Sequence, residues 1–205
     1  SGLLLAAPRF DRGVVVRHVG DRVPSRPHLR MTVEMLRAAG AGIDDSEPDV
    51  WVVEPGRLFG RGWEIEPDLS TAAPFLAAAL VTGGEVSVAG WPTRTVQPGD
   101  QLRDLLTQMG GRCVLTPAGL TVTGTGTVRG IEANLSDVSE LTPVLAALCV
   151  LADGPSRLTG IGHIRGHETD RISALAQQLS GLGARVTELP DGLAITPGPL
   201  RGGVF

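Results

Sequence analysis

The sequence of 205 residues contains no lysine, so every one of its 18 basic residues is an arginine. Any chemistry that requires a lysine amine must therefore take that lysine from outside this sequence. Acidic residues number 22, which gives a formal net charge of −4 at pH 7. This charge gives no support to a general nucleic-acid binder or a membrane-surface binder.

Cysteines and long apolar runs are also scarce. Cys113 and Cys149 lie in apolar surroundings, and two such cysteines predict free, buried thiols in a cytoplasmic protein. The longest near-apolar run has 12 residues (141–152), which is shorter than the roughly 20 residues that a membrane-spanning helix needs. Neither a metal-ligand cluster nor an N-terminal signal segment is visible, so we expect no metal, no other cofactor and no membrane partner.

What the sequence does contain is an internal repeat with a period of about seventy. Three strand-like segments each end in a glycine, and these glycines are evenly spaced, at Gly20, Gly90 and Gly160. Three amphipathic segments also end in a glycine at nearly the same spacing, at Gly40, Gly110 and Gly183. A short strand-like piece follows each of these, so the chain holds about three copies of one structural unit.

Each repeat reads as helix, strand, loop, helix, strand, turn and strand, which predicts an α/β (α+β) fold. The first helices, as in residues 70–81, are apolar almost all round and should be buried on most sides. The second helices are one-faced, and the glycines after them suit left-handed C-caps. A Gly/Arg-rich turn at residues 60–67 predicts a boundary between residues 1–64 and residues 65–205.

One loop position of the repeat is strongly basic. The three equivalent loops, residues 21–30, 91–101 and 161–171, make up less than a sixth of the sequence. They nevertheless hold nine residues of the combined set of 18 arginines and 4 histidines. Because they are equivalent, the loops should gather at one edge, and each opens a helix whose free N–H groups favour anions. We therefore predict an edge that binds phosphates and carboxylates. The nine residues are Arg22, Arg26, His28, Arg30, Arg94, His163, Arg165, His167 and Arg171.

Acidic residues near the helix starts are the second requirement of such a site. Asp68 and Glu140 precede the apolar helices at matching positions, which favours N-terminal capping. Glu168 has no counterpart in the other repeats, and nearby cations would tune its pKa, so it is a candidate for proton transfer. Arg171 opposes the dipole of the helix that it begins. Either Glu168 and Asp170 compensate this charge, or a bound anion does.

Three motifs together resemble the 5-enolpyruvylshikimate-3-phosphate (EPSP) synthase family. "GHETDR", before an amphipathic helix, is similar to the family's "KETDR" signature. "VPSRPHLRMTVEMLRAAG" is similar to its "SKPY…T…ML…G" segment, and "EPDLSTAAPFLAAALVTGGEVSVAG" to its "GDxSSAxxFLAAA" segment. The resemblance runs from Ser1 to about Pro199 with the motifs in the family's order, and "SELTP" most resembles the actinobacterial branch.

The resemblance implies a fold and a reaction. The fold is the inside-out α/β fold of the enolpyruvyl transferases, built from βαβαββ units, with one unit of one domain in residues 1–64 and two of the other in residues 65–205. The reaction is transfer of the enolpyruvyl group of phosphoenolpyruvate to the 5-hydroxyl of shikimate 3-phosphate, without a metal, in aromatic amino acid biosynthesis. This step is the target of glyphosate.

The resemblance also implies roles for individual residues. Glu140 matches the acid that holds the shikimate hydroxyls and takes the 5-hydroxyl proton, and Glu168 matches the signature acid near the methylene carbon. Arg171 matches the arginine that binds phosphoenolpyruvate. His167 replaces the signature lysine and would be a pH-dependent phosphate contact. Asp68 matches the aspartate at the crossover between the two domains and is expected to have a structural role. The implied catalytic residues are Glu140 and Glu168, and the implied substrate-binding residues are Ser25, Arg26, His28, His163, His167 and Arg171.

Several family motifs are absent from this sequence. The N-terminal "KS…R" segment, the "NAGTAxR" loop and the C-terminal "DHRMAM" motif, which supply a lysine and several arginines of the phosphoenolpyruvate site, do not occur. We therefore expect a partial site, no measurable activity of this chain alone, exposed apolar helix surface, and binding to the missing segments of the parent enzyme. Two alternatives stay open: a UDP-N-acetylglucosamine enolpyruvyl transferase and a non-catalytic repeat scaffold for an anionic partner.

Overall fold

The computed structural model describes residues 1–20 and 23–203. Over this part of the chain the order helix, strand, helix, strand, strand occurs three times, which confirms the predicted repeat. The α-helices are α1 (Gly2–Ala6), α2 (Arg26–Ala38), α3 (Leu69–Thr82), α4 (Leu102–Gln108), α5 (Thr142–Val150) and α6 (Arg171–Gly181). The strands are β1 (Val14–Arg17), β2 (Ile43–Asp44), β3 (Val50–Val53), β4 (Glu85–Ala89), β5 (Arg112–Thr116), β6 (Gly119–Thr123), β7 (Glu132–Asn134), β8 (Ser156–Thr159), β9 (Arg185–Leu189) and β10 (Gly192–Thr196).

The chain divides into two compact units. The first unit comprises Ser1–Ile65 with Val96–Pro98, and the second comprises Glu66–Thr95 with the chain from Gly99 onward. The first repeat lies in the first unit, and the second and third repeats lie in the second unit. That these units are parts of the two domains of an enolpyruvyl transferase stays a prediction.

The first unit is a three-stranded antiparallel sheet, in the order β1-β3-β2, with its own apolar cluster. The register pairs Val14 with Val53 and Arg17 with Val50. Helix α2 is one-faced because Val33 and Leu36 are buried while the charged side chains of the helix point away from the cluster. The short helix α1 buries Leu4 and leaves Leu3 and Leu5 about half exposed.

The second unit holds one sheet for each of its repeats. The second repeat forms the antiparallel order β4-β6-β5, and the third forms β7-β8-β10-β9. Strand β7 runs parallel to β8, whereas the other pairs are antiparallel. The third repeat is therefore a complete βαβαββ unit, while the corresponding lead-in of the second repeat, residues 64–68, forms no strand.

The first helices of these two repeats, α3 and α5, form the centre of the second unit. Leu76 and Leu80 of α3 and Leu145 of α5 are fully buried, as the apolar sequence of these helices predicts. The second helices bury one face, which in α6 carries Ile172 and Leu179. None of the helices in the described part of the chain has the length and apolar character needed to cross a membrane.

Glycine is required where the third repeat turns from its strand into the basic loop. Gly160 has φ of +76°, and a Cβ there would lie 2.3 Å from Asn134 Oδ1. The glycines after the second helices, Gly40, Gly110 and Gly183, also have positive φ, which confirms the predicted left-handed caps. The glycines that recur at the repeat spacing therefore occupy positions where a residue with a Cβ atom would have a strained backbone conformation.

Candidate functional site

In the first unit, the predicted binding residues lie at the start of α2. Ser25 is the N-cap residue, but it adopts a left-handed conformation (φ +50°) and its side chain makes no capping hydrogen bond. His28 belongs to the first turn of α2, and its carbonyl oxygen accepts a hydrogen bond from Thr32 Oγ1 at 2.9 Å. A non-glycine residue in this conformation is uncommon and is often found at binding sites. Arg22 of the same loop lies outside the described residues.

Arg26 forms an ion pair with Asp49, the other non-glycine residue of the described chain with positive φ. The segment between β2 and β3 is held by two further arginines, since Arg17 pairs with Glu47 at 2.7 Å and Arg37 with Asp45 at 2.5 Å. All three pairs are solvent-exposed and contribute little stability. An anion that binds Arg26 must therefore compete with an exposed carboxylate. A shallow cavity of about 190 Å³ lies beside this pair, lined by Arg26, Leu29, Arg30, Asp45, Glu47, Pro48, Asp49, Val50 and Trp51.

In the second unit, the two acids at matching positions have different roles. Asp68 is the N-cap of α3 and accepts a hydrogen bond from Thr71 N at 2.9 Å, as predicted. The same prediction is wrong for Glu140, because residues 139–141 form a 3-10 turn and Leu141 occupies the N-cap of α5. Glu140 is therefore not used to begin a helix and is half-buried next to the site described below.

A contact between two 3-10 turns brings the predicted residues of the second unit together. His163 Nε2 lies 3.0 Å from the hydroxyl of Ser139, which is buried and precedes Glu140 in the chain. The ring of His167 lies 6.0 Å from that of His163, in an edge-to-face arrangement. The turn that bears Glu140 is thus placed beside two imidazoles from a distant part of the chain.

The signature acid and arginine pair with each other. Arg171 Nη2, at the start of α6, lies 2.7 Å from Oε2 of Glu168, which precedes the helix by three residues. The pKa of the Glu168 carboxyl is lowered, first by a hydrogen bond from its own backbone N–H and then by Arg171. The Glu168 side chain is 78% exposed, so the pair is accessible to a ligand. Glu168 therefore supplies the local compensation that was one of the two hypotheses for Arg171.

Asp170, the other acid proposed to compensate Arg171, has different partners. Its Oδ1 accepts from Ser173 N at 3.0 Å and caps α6, while its Oδ2 accepts from Arg165 Nη1 at 2.8 Å. The hydrogen bond from Ser173 is the first cause that lowers the pKa of Asp170, and Arg165 adds to it. The Asp170 carboxylate therefore caps the N-terminus of α6 and also pairs with Arg165 of the preceding turn.

The equivalent loop of the second repeat is closed upon itself. The buried Trp91 donates its indole N–H to Asp100 Oδ1 at 2.8 Å, and Arg103 Nε donates to the same oxygen at 2.8 Å. Burial acts to raise the pKa of Asp100, but the hydrogen bonds from Arg103 and Trp91 outweigh it, so the pKa is lowered. Trp91, Asp100 and Arg103 therefore bond to one another, whereas Arg94 of the same loop is exposed.

The structure thus collects Glu140, His163, His167, Glu168 and Arg171 on neighbouring turns of the second unit. Ser25, Arg26 and His28 belong to the first unit, so the gathering of all basic loops at one edge stays a prediction. Ser139 and Asp170 were missed as parts of the site, although the Asp-x-x-Ser spacing at residues 170–173 is a recognisable capping pattern. Within residues 1–20 and 23–203, no group of three or more His, Cys, Asp or Glu side chains is arranged to hold a metal ion.

Comparison with known proteins gives consistent matches. The family model described as EPSP synthase (3-phosphoshikimate 1-carboxyvinyltransferase) matches residues 1–204. A structure of EPSP synthase from Acinetobacter baumannii is 27% identical with a TM-score of 0.70, covering 96% of this chain and 45% of that chain. A second structure of EPSP synthase from the same organism is 25% identical with a TM-score of 0.66, at the same coverage.

The enolpyruvyl transferase NikO from Streptomyces tendae is also similar, with 21% identity and a TM-score of 0.64, covering 92% of this chain and 44% of that chain. At this identity the likeness shows the fold alone. The chain spans about 45% of the length of the EPSP synthase structures that it matches. Together these matches confirm the predicted enolpyruvyl transferase-like fold.

Proposed function

Because the chain belongs to the EPSP synthase family, we propose that it is part of an enzyme that transfers the enolpyruvyl group of phosphoenolpyruvate to the 5-hydroxyl of shikimate 3-phosphate. Both substrates are polyanions, which agrees with the concentration of arginines and histidines in the equivalent loops. Phosphate is the second product, and the reaction belongs to aromatic amino acid biosynthesis.

The observation that carries this proposal is the 3.0 Å contact between His163 and Ser139. It joins the turn that bears Glu140 to the turn that leads into Glu168 and Arg171. A substrate held there would meet a carboxylate on one side and imidazoles and a guanidinium on the other. Such a pairing of a base with anion-binding groups is what transfer to a phosphorylated alcohol requires.

In the proposed reaction, Glu140 takes the proton of the 5-hydroxyl while the hydroxyl oxygen bonds to C2 of phosphoenolpyruvate. A proton from solvent adds to the methylene carbon, and a tetrahedral intermediate forms. The second stage removes a proton from the resulting methyl group as the C2–O bond to phosphate breaks. The Glu168 carboxylate, which matches the signature acid near the methylene carbon, accepts this second proton.

The anion-binding groups would divide between the two substrates. In the second unit, His163 and His167 would contact the phosphate of shikimate 3-phosphate. In the first unit, Ser25, Arg26 and His28 are the proposed substrate-binding residues. Arg171 would bind phosphoenolpyruvate, exchanging its contact with Glu168 for the substrate's carboxylate or phosphate. The family's further lysine and arginines would come from segments that the longer relatives contain and this sequence does not.

Titration of the 205-residue chain with shikimate 3-phosphate tests this function. We expect amide and side-chain chemical-shift changes at Ser25, Glu140 and His167, and none with shikimate, which lacks the phosphate. A matched control is the exposed Arg185→Gln variant, which should respond as the unaltered chain does. Shift changes confined to residues outside these turns would contradict the proposal. In a coupled phosphate-release assay we expect no measurable turnover by this chain alone, and normal turnover would contradict the partial site.

The exposed apolar surface supports a second part of the proposal. We propose that the segments of the parent enzyme that this sequence lacks pack against this chain. An apolar groove of about 300 Å³ runs between α3 and α5, lined by Pro74, Ala77, Ala78, Val81, Thr82, Val144, Ala147, Leu148 and Leu151. Phe75 beside it is 65% exposed. An apolar surface of this kind favours association. A monodisperse monomer by light scattering, with fully protected α3 and α5 amides, would contradict this part.

The cysteines bear on the alternatives and on location. Cys113 lies on β5 and Cys149 is buried on α5, and both are free. A UDP-N-acetylglucosamine enolpyruvyl transferase would need a cysteine on a mobile polar loop, so these positions favour the shikimate enzyme. Burial raises the pKa of Cys149 to about 11, which makes it an unreactive thiol. Free thiols also support a cytoplasmic location.

A further inference from the structure

Arg165 is the most extensively bonded side chain of the third repeat's basic loop, and the proposed reaction leaves it without a role. Its guanidinium reaches the hairpin of β9 and β10. Nη1 donates to Glu188 Oε2 at 2.9 Å, Nη2 donates to the Leu189 carbonyl at 2.8 Å, and Nε donates to the Pro190 carbonyl at 3.3 Å. The side chain is 28% exposed. Arg165 is thus directed towards the hairpin, away from a ligand on the exposed residues 167–169.

The same guanidinium also holds the start of α6. Nη1 donates to Asp170 Oδ2 at 2.8 Å, while the other oxygen of Asp170 caps the helix through Ser173 N. Asp170 directly precedes Arg171 in the chain. The position of the Arg171 guanidinium therefore depends on a carboxylate that Arg165 fixes.

A second attachment holds the beginning of the loop to the same hairpin. Gly160 N donates to Asp191 Oδ2 at 3.2 Å, and Ile161 N donates to the Asp191 carbonyl at 2.9 Å. His167 and Glu168 are exposed and lie between Arg165 and Asp170, which are bonded to each other. The candidate binding residues therefore lie on a short stretch that is anchored at both ends.

The second repeat shows that the fold forms without the arginine attachment, although the start of its loop is also held to its hairpin, where Gly90 N donates to the Ala118 carbonyl at 3.0 Å. At the equivalent positions it has Thr95 in place of Arg165, Leu115 in place of Glu188 and Ala118 in place of Asp191. Its hairpin nevertheless has the same geometry, since Thr116 pairs with Gly119 as Leu189 pairs with Gly192. Arg165 and Glu188 are therefore specific to the repeat that carries the candidate site, whereas Asp170 has an equivalent in Asp100.

We propose that Arg165 is a positioning residue, which holds residues 167–171 in the conformation that binds the anionic substrate. This inference rests on the proposed function for the identity of the ligand. We call Arg165 with Asp170 and Glu188 the arginine clamp. The clamp orders the turn before the substrate arrives, so binding does not have to spend free energy on ordering it.

Two variants separate positioning from simple charge. Arg165→Lys keeps the positive charge but lacks the planar guanidinium that reaches Asp170, Glu188 and Leu189 together. Glu188→Gln removes a negative charge, so electrostatics alone predicts tighter anion binding, whereas loss of the clamp predicts weaker binding. We expect each variant to weaken binding of shikimate 3-phosphate, by about tenfold for Arg165→Lys, at an unchanged thermal unfolding midpoint. Arg185→Gln, on the same hairpin, is the matched control and should bind normally.

Hydrogen exchange of the unliganded chain gives a readout that does not depend on the ligand. In Arg165→Lys the Ser173 amide should exchange at least several-fold faster, while Leu193 in β10 should be unchanged. Unchanged exchange at Ser173, unchanged affinity in both variants, or tighter binding by Glu188→Gln would each overturn the clamp. If the unaltered chain binds no shikimate 3-phosphate while Ser173 exchange still rises, the proposed function fails and the ordering role of Arg165 stands.

Discussion

In the second repeat, Asp100 receives hydrogen bonds from Trp91 and Arg103 of its own loop and helix, whereas in the third repeat Asp170 receives them from Arg165 and Ser173. The two aspartates occupy the same place in the repeat. In the second repeat, the Asp100 carboxylate is used to hold the loop against the buried Trp91 and the helix residue Arg103. In the third, Arg165 is anchored to the hairpin, and His167 and Glu168 are exposed. The comparison teaches that one loop position can be packed into the core in one copy and left on the surface, where we propose a ligand, in the next.

The largest expected effect comes from removing the aromatic centre of the closed loop. Trp91 is 1% exposed, so Trp91→Ala should lower the free energy of unfolding by about 3–5 kcal/mol, measured by urea denaturation. Trp91→Phe, which keeps most of the burial and loses the bond to Asp100, should cost far less. His167→Ala in the open loop is the comparison variant and should leave stability almost unchanged. Equal losses at the two loops would remove the distinction between them.

The next effect concerns the shared carboxylate of the closed loop. Asp100→Asn should cost roughly 1–2 kcal/mol at pH 7, because the three hydrogen bonds that the carboxylate accepts from Trp91 and Arg103 weaken. The folded pKa of Asp100 is below the ordinary value of 3.8, so its contribution is present above that pH and is lost as the pH falls through the folded pKa. The stability difference between the two chains should therefore narrow below about pH 4. A difference that widens on acidification would refute this assignment.

A smaller effect is expected at the histidine that stands where the family has lysine. His167→Lys places the family's fixed positive charge on the turn that leads to Arg171. At pH 7 we expect this variant to bind sulfate about fivefold more tightly than the unaltered chain, because the binding turn gains a permanent charge. Arg94→Lys in the second repeat's loop keeps its charge and should not change the affinity. An unchanged affinity in His167→Lys would place the bound anion elsewhere.

The smallest effect comes from the exposed pair at the start of α6. Glu168→Gln should leave the unfolding midpoint unchanged because surface ion pairs contribute little. It should nevertheless raise sulfate affinity a few-fold, since Arg171 no longer has a competing carboxylate. Glu132→Gln on the exposed edge strand β7 removes the same charge elsewhere and should have no effect. Isothermal titration calorimetry of both variants distinguishes a local from a general charge effect.

Much of the fold could be predicted because short stretches of sequence in each repeat determine where helices begin and end. Gly110 and Gly183 end helices in the left-handed conformation that few other residues adopt, and Asp68 caps α3 through a bond to a near neighbour. These features depend on short stretches of chain, so the sequence carries them. The strand β7 has three residues and no such signal. Only the resemblance to a family of βαβαββ units predicts it.

The site was less predictable because its contacts are distant in the chain. Nothing local indicates that Ser139 meets His163, or that Arg165 meets Glu188. The position of Glu140, which matches that of Asp68, predicts a capping residue, but a 3-10 turn moves the start of α5 past it. Residue types and loop position predict the candidate side chains, while the partners of these side chains are set by tertiary packing.

Asp170 offers one oxygen to a helix and the other to an arginine bound to a hairpin. The first turn of α6 and the turn between β9 and β10 are therefore linked through one side chain, because Asp170 and the carbonyl oxygens of Leu189 and Pro190 all bind Arg165. Opening either turn far enough to release Arg165 removes a support from the other, so we expect their fluctuations to be coupled. In dynamic terms, the exposed residues 167–169 depend on a support whose opening is shared with the hairpin.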